Sequence, residues 1–263
     1  MPQLGLGVFK IAPDEVGPPV QVAIEAGYRL IDTAAAYGNE AGVGQAVRDS
    51  GVPRHDLFLT TKLANDDHGY ERALRAFDAS LAALRTDYLD LYLIHWPLPK
   101  RDLYVETWRA LEKLRAEGVA RSIGVSNFTE AHLGRLLEET GTVPAVNQVE
   151  LHPCLTQAAL REFHAWHGVT TEAWAPIAHG RGPLDGQTVR EVADRYDRSP
   201  VQVVLRWHVE LGNVAIPKSA TPERIRSNLQ VFDFELAQSD VDRISALGPP
   251  ERLGPDPDEF DGD

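Results

Sequence analysis

The sequence predicts an α/β protein in which eight parallel strands, each followed by a helix, close into a single barrel. Short runs typical of strands alternate with longer helical patterns from end to end of the 263 residues. No long linker divides this series, which favours one domain over residues 1–263 rather than two. The strand runs are apolar at successive positions, as expected where both faces of a strand are covered. We therefore expect a (β/α)8 TIM barrel.

Each element of this barrel can be placed along the chain. Eight segments have the short apolar character of strands: Leu4–Val8, Arg29–Asp32, Leu57–Lys62, Leu89–His95, Ser122–Ser126, Val146–Glu150, Thr170–Trp174 and Val214–Pro217. Helical patterns lie between or after them: Asp14–Glu25, Glu40–Ser50, Tyr70–Leu84, Val105–Glu117, Glu130–Glu139, Gln157–His167, Pro200–Leu211 and Pro222–Gln230. Two additional helices, Val189–Tyr196 and Asp240–Leu247, interrupt the strict repeat. Ser199-Pro200 and Thr221-Pro222 each place an oxygen at the N-cap and proline at the first helical position.

An open doubly wound sheet is the structural alternative to the barrel. Such a sheet normally carries G-x-G-x-x-G directly after a strand. Here Gly5-Leu-Gly7 lacks the third glycine, and no clear helix start follows it at once. The barrel is therefore the favoured fold.

Composition argues against several classes of function. A net charge of −13 argues against nucleic acid or an anionic membrane as the partner. No apolar run approaches the ~20 residues of a membrane span, and no basic stretch followed by an apolar run marks a signal peptide. The single cysteine, Cys154, permits no internal disulfide, which fits a cytoplasmic protein. The acidic tail from Asp256 to Asp263 is expected to be solvated, with Phe260 as its anchor.

Four polar residues stand at or just after the ends of the second, third and fourth strands. They are Asp32, Tyr37, Lys62 and His95. Taken singly, each has an ordinary explanation, respectively as a loop cap, a surface aromatic, a rim salt bridge and a core histidine. Because the active site of such a barrel lies at the carboxyl ends of its strands, their joint placement favours a catalytic site.

The chemistry open to these four residues is carbonyl reduction. A phenol has a pKa of ~10, and Lys62 beside Tyr37 would lower that pKa by stabilising the phenolate. Asp32 would hold the ammonium in place, and His95 would donate a hydrogen bond to the same carbonyl oxygen. Since no side chain carries hydride, the site requires a nicotinamide cofactor.

Two further groups of residues suit such a cofactor. Ser126, Asn127 and Gln148 offer donors and acceptors for a carboxamide, and Trp174 offers a flat face on which a ring could stack. Lys218 and Arg224 flank a helix start, where backbone N–H groups favour phosphate. In an acidic protein this pair suits the 2′-phosphate of NADPH, whereas the plain alternative is a salt-bridged helix start.

With these residues placed, the chain resembles the aldo-keto reductases. The matching stretches are DTAAAYGNE (32–40), LTTKL (59–63), LYLIHWP (91–97), GVSNF (124–128), NQVELHP (147–153) and IPKSATPERIRSNLQVFDF (216–234). The resemblance assigns the catalytic tetrad to Asp32, Tyr37, Lys62 and His95. It assigns the nicotinamide contacts to Ser126, Asn127, Gln148 and Trp174, and the adenosine-phosphate contacts to Lys218, Ser219, Thr221, Arg224 and Asn228. The tail GPDPDEF is most similar to the bacterial 2,5-diketo-D-gluconic acid reductase branch.

Two departures from the family pattern stand out. The family usually begins with a β-hairpin that plugs the bottom of the barrel, before the segment PQLGLGVF. Here Met1 already stands at that segment, so the N-terminal hairpin is expected to be absent, either because the protein lacks it or because the chain has been trimmed. The family's tryptophan after Lys-Leu is Ala64, which predicts a wider and less apolar mouth. Phe9, Ala64, Trp96 and His179 are the candidates for substrate shape, although Phe9 and Trp96 could equally be core aromatics.

The leading hypothesis is an NADPH-dependent reductase of aldehydes and ketones, with keto-sugars or α-dicarbonyls as substrates, which acts as a monomer. A cofactor-binding regulatory module, such as the potassium-channel β subunits within the family, is the first alternative. The intact tetrad and the missing partner-binding extensions argue against it. A metal-dependent barrel hydrolase is the second, but only His95 and His152 lie near strand ends and no His-x-His pair occurs.

Overall fold

The computed structural model describes residues 1–180, 182–248 and 251–262, and within them eight parallel strands follow one another around a barrel. The strands are β1 (Leu6–Gly7), β2 (Leu30–Asp32), β3 (Phe58–Leu63), β4 (Leu89–Ile94), β5 (Ala120–Ser126), β6 (Val146–Glu150), β7 (Thr170–Trp174) and β8 (Val214–Ala215). Parallel bridges from Leu4 to Ala215 and from Gly7 to Lys218 join β8 back to β1, so the sheet closes. The predicted (β/α)8 barrel is confirmed, and residues 1–5 form no hairpin ahead of β1.

Ten α-helices lie in the described residues. They are α1 (Gly17–Ala26), α2 (Glu40–Asp49), α3 (Tyr70–Leu84), α4 (Tyr104–Ala116), α5 (Glu130–Thr140), α6 (Ala158–His167), α7 (Gln187–Tyr196), α8 (Pro200–Glu210), α9 (Pro222–Leu229) and α10 (Gln238–Ser245). The two additional helices that the sequence predicts are confirmed as α7 and α10. In this part of the chain, no helix combines the length and the apolar composition needed to cross a membrane.

Three elements are shorter than their sequence patterns predict by two residues or more. α1 begins at Gly17 instead of Asp14, because the two prolines that follow Gly17 lack a backbone N–H and fit only in the first turn of a helix. β8 stops short of Pro217, which has no N–H to give to a neighbouring strand. β1 keeps only Leu6–Gly7 of its predicted segment, because Leu4 pairs with Ala215 only through an isolated bridge.

The two predicted helix caps have different outcomes. Ser199 caps α8, because its Oγ accepts a hydrogen bond from the backbone N of Gln202 at 3.2 Å. Thr221 occupies the N-cap of α9, but its side chain makes no capping bond. The backbone N of Thr221 donates instead to Oγ of Ser219 at 3.2 Å. This hydrogen bond closes a turn directly before α9, where the side-chain cap was expected.

Side chains alternate between two environments along the strands. Outward positions such as Leu59 and Tyr92 pack against the helices in the main hydrophobic core. Inward positions near the amino ends of the strands are apolar, for example Leu30 and Val146. Because successive side chains of a strand point to opposite faces, the next inward positions on β2 and β3 are Asp32 and residues 60 and 62. The barrel interior therefore turns polar toward its carboxyl end.

A buried asparagine fixes the loop that follows β2. Asn39 accepts a hydrogen bond from Oγ1 of Thr33 at 2.8 Å, and its Nδ2 donates to the carbonyl oxygens of Val8 and Ile11, each at 3.0 Å. The loop is thereby tied to the segment after β1. Tyr37 ends a single 3-10 turn in this loop, so a fixed backbone determines where its phenol lies.

The C-terminal segment 251–262 packs on the body of the protein. The carboxylate of Glu150, at the end of β6, accepts hydrogen bonds from the backbone N of Leu253 at 2.6 Å and of Gly254 at 2.9 Å. The ring of Phe260 lies 4.6 Å from that of Trp96. The acidic side chains of Asp256, Asp258, Glu259 and Asp261 are exposed, so the expected solvated tail is confirmed over these residues, whereas Asp263 lies outside the described ones. The anchoring role of Phe260 is also confirmed.

Candidate active site

Lys62 and Asp32 form a buried ion pair inside the carboxyl end of the barrel. Nζ of Lys62 lies 2.6 Å from Oδ1 of Asp32, and the two side chains are 0% and 2% exposed. Nζ also donates to the carbonyl oxygen of Thr33 at 2.9 Å. Burial has the largest single effect on the pKa of Lys62 and lowers it, but the charge and hydrogen bond of Asp32, together with its other acidic neighbours, raise that pKa above its usual value. The ammonium is therefore charged at neutral pH.

The ring of Tyr37 lies beside this ammonium, with Nζ of Lys62 5.2 Å from the ring centre. Phe9 packs against the same ring at 5.0 Å between centroids. Burial raises the pKa of Tyr37 and outweighs the charge and the hydrogen bond of Lys62, which lower it. The sequence-based expectation of a lowered pKa is therefore wrong for the net shift, although Lys62 acts in the expected direction. The phenol stays protonated at neutral pH and is available as a proton donor.

His95 follows β4 directly and borders the phenol of Tyr37. The centroids of the two rings are 5.8 Å apart and their planes meet at 72°. Burial, followed by the charge of Lys62, lowers the pKa of His95 to about 3. The imidazole is therefore neutral at ordinary pH, with one N–H donor to offer. A carbonyl oxygen between the two rings would meet two donors.

The predicted nicotinamide contacts lie together and are already linked by hydrogen bonds. Asn127 donates Nδ2 to the backbone oxygen of His95 at 2.9 Å and to Oγ of Ser126 at 3.1 Å. Its Oδ1 accepts from Nε1 of Trp174 at 2.7 Å. Oγ of Ser126 donates to the carbonyl oxygen of Gln148 at 2.8 Å. One network therefore joins the backbone of His95 to the indole.

The residues predicted for the adenosine phosphate lie between β8 and the last turn of α9. Lys218 and Arg224 are exposed, whereas Ser219 and Asn228 are buried beneath them. Within the described residues, neither Lys218 nor Arg224 forms an ion pair with a carboxylate. Thr221 is exposed at the start of the helix. The salt-bridged helix start that was the alternative is therefore not observed.

The four candidates for substrate shape differ in position. Phe9 is 45% exposed beside the phenol, so it is not a core aromatic. Ala64 is half-buried directly after β3, and Trp96 is half-buried against the tail. His179 lies in an exposed turn beyond β7, Ala178–Gly180.

Glu172 is a buried residue of the site that sequence reasoning missed. It lies on β7, and its Oε2 accepts a hydrogen bond from Nε2 of Gln148 at 2.8 Å. The alternation in Thr170–Trp174 could have found it, because Trp174 faces the barrel interior and the residue two positions before it must do the same.

The histidines near the strand ends have neighbours other than a metal site. His152 contacts the carboxylate of Glu150 at 3.0 Å, and His95 lies beside the phenol. Across residues 1–180, 182–248 and 251–262, no group of three or more potential ligands is placed to hold a metal ion.

Known proteins resemble this chain both in sequence and in structure. Residues 3–249 match the model of the aldo/keto reductase family. Methylglyoxal reductase DkgA of Escherichia coli K12 is 50% identical over 263 residues, which cover 100% of this chain and 95% of that protein. The crystal structure of an aldo/keto reductase from Brucella melitensis superimposes with a TM-score of 0.90 at 53% identity, over 93% of this chain and 94% of that one. A mutant of Gox0644 in complex with NADPH superimposes with a TM-score of 0.95 at 47% identity, over 99% and 94% of the two chains.

Proposed function

The chain belongs to the aldo/keto reductase family of NADP-dependent oxidoreductases, and we propose that it reduces small α-dicarbonyls and keto-sugars with Tyr37 as the general acid. The observation that carries this proposal is the buried Lys62–Asp32 pair beside a protonated phenol, with the ring of His95 next to it. A cation beside a phenol stabilises the phenolate that remains after the proton has left.

The proposed reaction assigns a role to each of these side chains. A substrate carbonyl oxygen accepts hydrogen bonds from the hydroxyl of Tyr37 and from the imidazole of His95. As hydride adds to the carbonyl carbon, the electron pair of the C=O bond moves to this oxygen, and Tyr37 gives it a proton. The resulting phenolate is stabilised by Lys62 and regains a proton from solvent. A positioned acid of this kind contributes about 10²–10⁴-fold in rate.

The residues around the network fit a nicotinamide carboxamide. Both amide hydrogens of Gln148 are used, by Asp32 and by Glu172, so its Oε1 remains as an acceptor. Oδ1 of Asn127 has accepted one hydrogen bond and has a second lone pair. The hydroxyl of Ser126 becomes a donor when it turns away from its backbone partner. When bound here, the nicotinamide supplies the hydride.

The phosphate end of the cofactor is proposed to lie at the start of α9. Backbone N–H groups at a helix N-terminus favour anions. The exposed cations Lys218 and Arg224 add charge on either side of this start, and no carboxylate of the described residues pairs with either. This arrangement supports a preference for NADPH, whose 2′-phosphate is absent from NADH.

The substrate class is proposed from the small size of the residue after β3 and from the relatives. Ala64 places only a methyl group directly after β3, two residues beyond Lys62, and Phe9 offers an exposed apolar ring beside the phenol. The methylglyoxal reductase of Escherichia coli, half identical to this chain, is named for an α-dicarbonyl. The proposed substrates are therefore methylglyoxal and 2,5-diketo-D-gluconate.

That the protein acts as a monomer in the cytoplasm remains a prediction from the sequence.

Following NADPH oxidation by the purified protein with three carbonyl compounds tests this proposal. We expect methylglyoxal and 2,5-diketo-D-gluconate to give kcat/KM values at least about tenfold above that of propanal. Equal values for all three would contradict the substrate class. Tight NADPH binding without turnover of any of them would contradict the enzymatic proposal and favour a regulatory module.

A further inference from the structure

Glu172 is a buried carboxyl group that the proposed reaction does not use. Its side chain is 0% exposed inside the barrel. One oxygen, Oε2, accepts from Nε2 of Gln148 at 2.8 Å, whereas Oε1 has no hydrogen-bond partner among the described residues. A buried carboxylate with an unpaired oxygen costs stability, so its presence beside the tetrad calls for a physical reason.

The amide of Gln148 connects Glu172 to the ion pair. Nε2 of Gln148 lies 2.8 Å from Oδ2 of Asp32 and 2.8 Å from Oε2 of Glu172. An amide nitrogen carries two hydrogens, and here each is given to a different carboxyl group. The orientation of the amide is therefore determined, because its oxygen must point away from both acids. Glu172 thus holds the side chain that bridges to Asp32.

The net charge of this interior cluster depends on Glu172. Asp32 from β2 and Lys62 from β3 are the charged groups that act on it, with Tyr37 and His95 beyond them. Its register partner on β8 is Val214, which carries no charge, and Gln148 on β6 is neutral. If Glu172 is protonated, the pair of Asp32 and Lys62 leaves the cluster neutral. If it is ionised, the cluster carries one uncompensated negative charge.

We propose that Glu172 is a positioning residue of the proton-donor site, which holds the amide of Gln148 and, by its own protonation, sets the charge that Tyr37 experiences. The inference rests on the proposed function, because it concerns the phenol that carbonyl reduction requires. No covalent step is involved. The device acts through one proton exchanged with solvent.

The sign of the effect follows from the surroundings of the two groups. Burial, and then the charge of Asp32, raises the pKa of Glu172 to about 8. Above this pH its negative charge raises the pKa of Tyr37 and keeps the phenol protonated to higher pH. Glu172 therefore extends reduction toward alkaline pH. Glu172→Gln preserves an oxygen acceptor for Gln148 but can never supply the charge.

The first test compares the pH profiles of wild type and Glu172→Gln for carbonyl reduction and for alcohol oxidation. We expect the alkaline limb of reduction and the acid limb of oxidation both to move to lower pH by about one unit. At about pH 6–7 the kcat for reduction should stay within about threefold of wild type. At that pH the carboxyl of Glu172 is protonated in wild type, so residue 172 carries no charge in either protein. A variant with lower kcat at every pH and unmoved limbs would overturn the proposal.

Thr60→Val is a matched control for this test. Thr60 is 0% exposed, pairs in register with Asp32, and has a hydroxyl without a partner among the described residues. Thr60→Val changes the interior of the barrel at the level of Asp32, and it removes no titratable group. Both limbs should stay where they are in wild type, and a shift like that of the Glu172 variant would overturn the assignment to charge.

The second test needs no turnover, so it separates this inference from the proposed function. A Glu whose pKa is raised from 4.5 to about 8 on folding stabilises the protein fully below pH 4.5 and loses that contribution as the pH rises through 8. The thermal midpoint of Glu172→Gln should therefore rise relative to wild type across this window. A difference that does not change with pH would overturn the inference, even if wild type proved inactive on every carbonyl.

A third measurement uses wild type alone, in case the variant does not fold. Carbon NMR of protein with labelled glutamate carboxyls should show one signal that titrates near pH 8, as the raised pKa of Glu172 requires. Titration of every glutamate close to its ordinary pKa of about 4 would overturn the proposal.

Discussion

Removing the ammonium of Lys62 should destabilise the protein strongly, because it leaves Asp32 buried without its counter-ion. In the wild type, Nζ of Lys62 and Oδ1 of Asp32 are 2.6 Å apart, and both side chains are buried. In Lys62→Met, Asp32 avoids an uncompensated charge by taking up a proton. At pH 7 this costs about 3 pKa units relative to an unfolded carboxyl, or about 4 kcal/mol. That agrees with the ~3–5 kcal/mol typical of breaking a buried pair from one side.

Urea unfolding at pH 7 and pH 5, followed by circular dichroism, measures this loss. The deficit of Lys62→Met should shrink by about 1.4 kcal/mol for each pH unit toward acid, because the proton that Asp32 needs becomes easier to bind. Adding Asp32→Asn should recover most of the loss, since an amide oxygen still accepts from Gln148 and no buried charge remains. The reasoning would be refuted by a single variant within about 1 kcal/mol of wild type, or by a double variant no more stable than the single one.

Three further predictions concern the cofactor and the histidine. Arg224→Ala should weaken NADPH binding by about tenfold or more and leave NADH binding unchanged, which fluorescence titration measures; equal losses would contradict the phosphate assignment. Because the pKa of His95 is about 3, kcat/KM should show no ionisation of this imidazole between about pH 5 and 7, and an acid limb that His95→Gln abolishes would contradict this. Gly254→Ala should weaken NADPH binding severalfold, because its Cβ would lie 2.6 Å from the ring of Trp174. Gly134→Ala is its control, since nothing lies within 4 Å of that Cβ, and binding unchanged in both variants would contradict the tail's contact with the indole.

The fold and the ion pair could be predicted from the sequence because both follow from the ends of strands. Asp32 and Lys62 are 30 residues apart, yet each stands at or next to the carboxyl end of its strand. Parallel strands bring their carboxyl ends to one edge, so the two side chains had to meet. The limits of most elements differed by one to three residues, as at the start of α1, where prolines restrict the first turn.

Other features depend on three-dimensional packing that local patterns do not contain. The net pKa shift of Tyr37 reflects how deeply it is buried beside Phe9, and no spacing of residues reports burial depth. Glu172 has a polar neighbour and an apolar one, so only the inward direction of its strand shows that it lies in the site. The carboxylate of Glu150 holds the backbone amides of Leu253 and Gly254, just before the acidic tail, and no local pattern in the sequence indicates this contact.

The single-turnover rate of NADPH oxidation with methylglyoxal in Tyr37→Phe tests the central claim most directly, that a phenol beside a buried ion pair donates the proton. The account predicts a rate about 10²–10⁴-fold below wild type with NADPH affinity retained. Tyr70→Phe makes the same chemical change at another half-buried position, on α3, and should keep the wild-type rate. A Tyr37→Phe rate within about threefold of wild type would contradict the account.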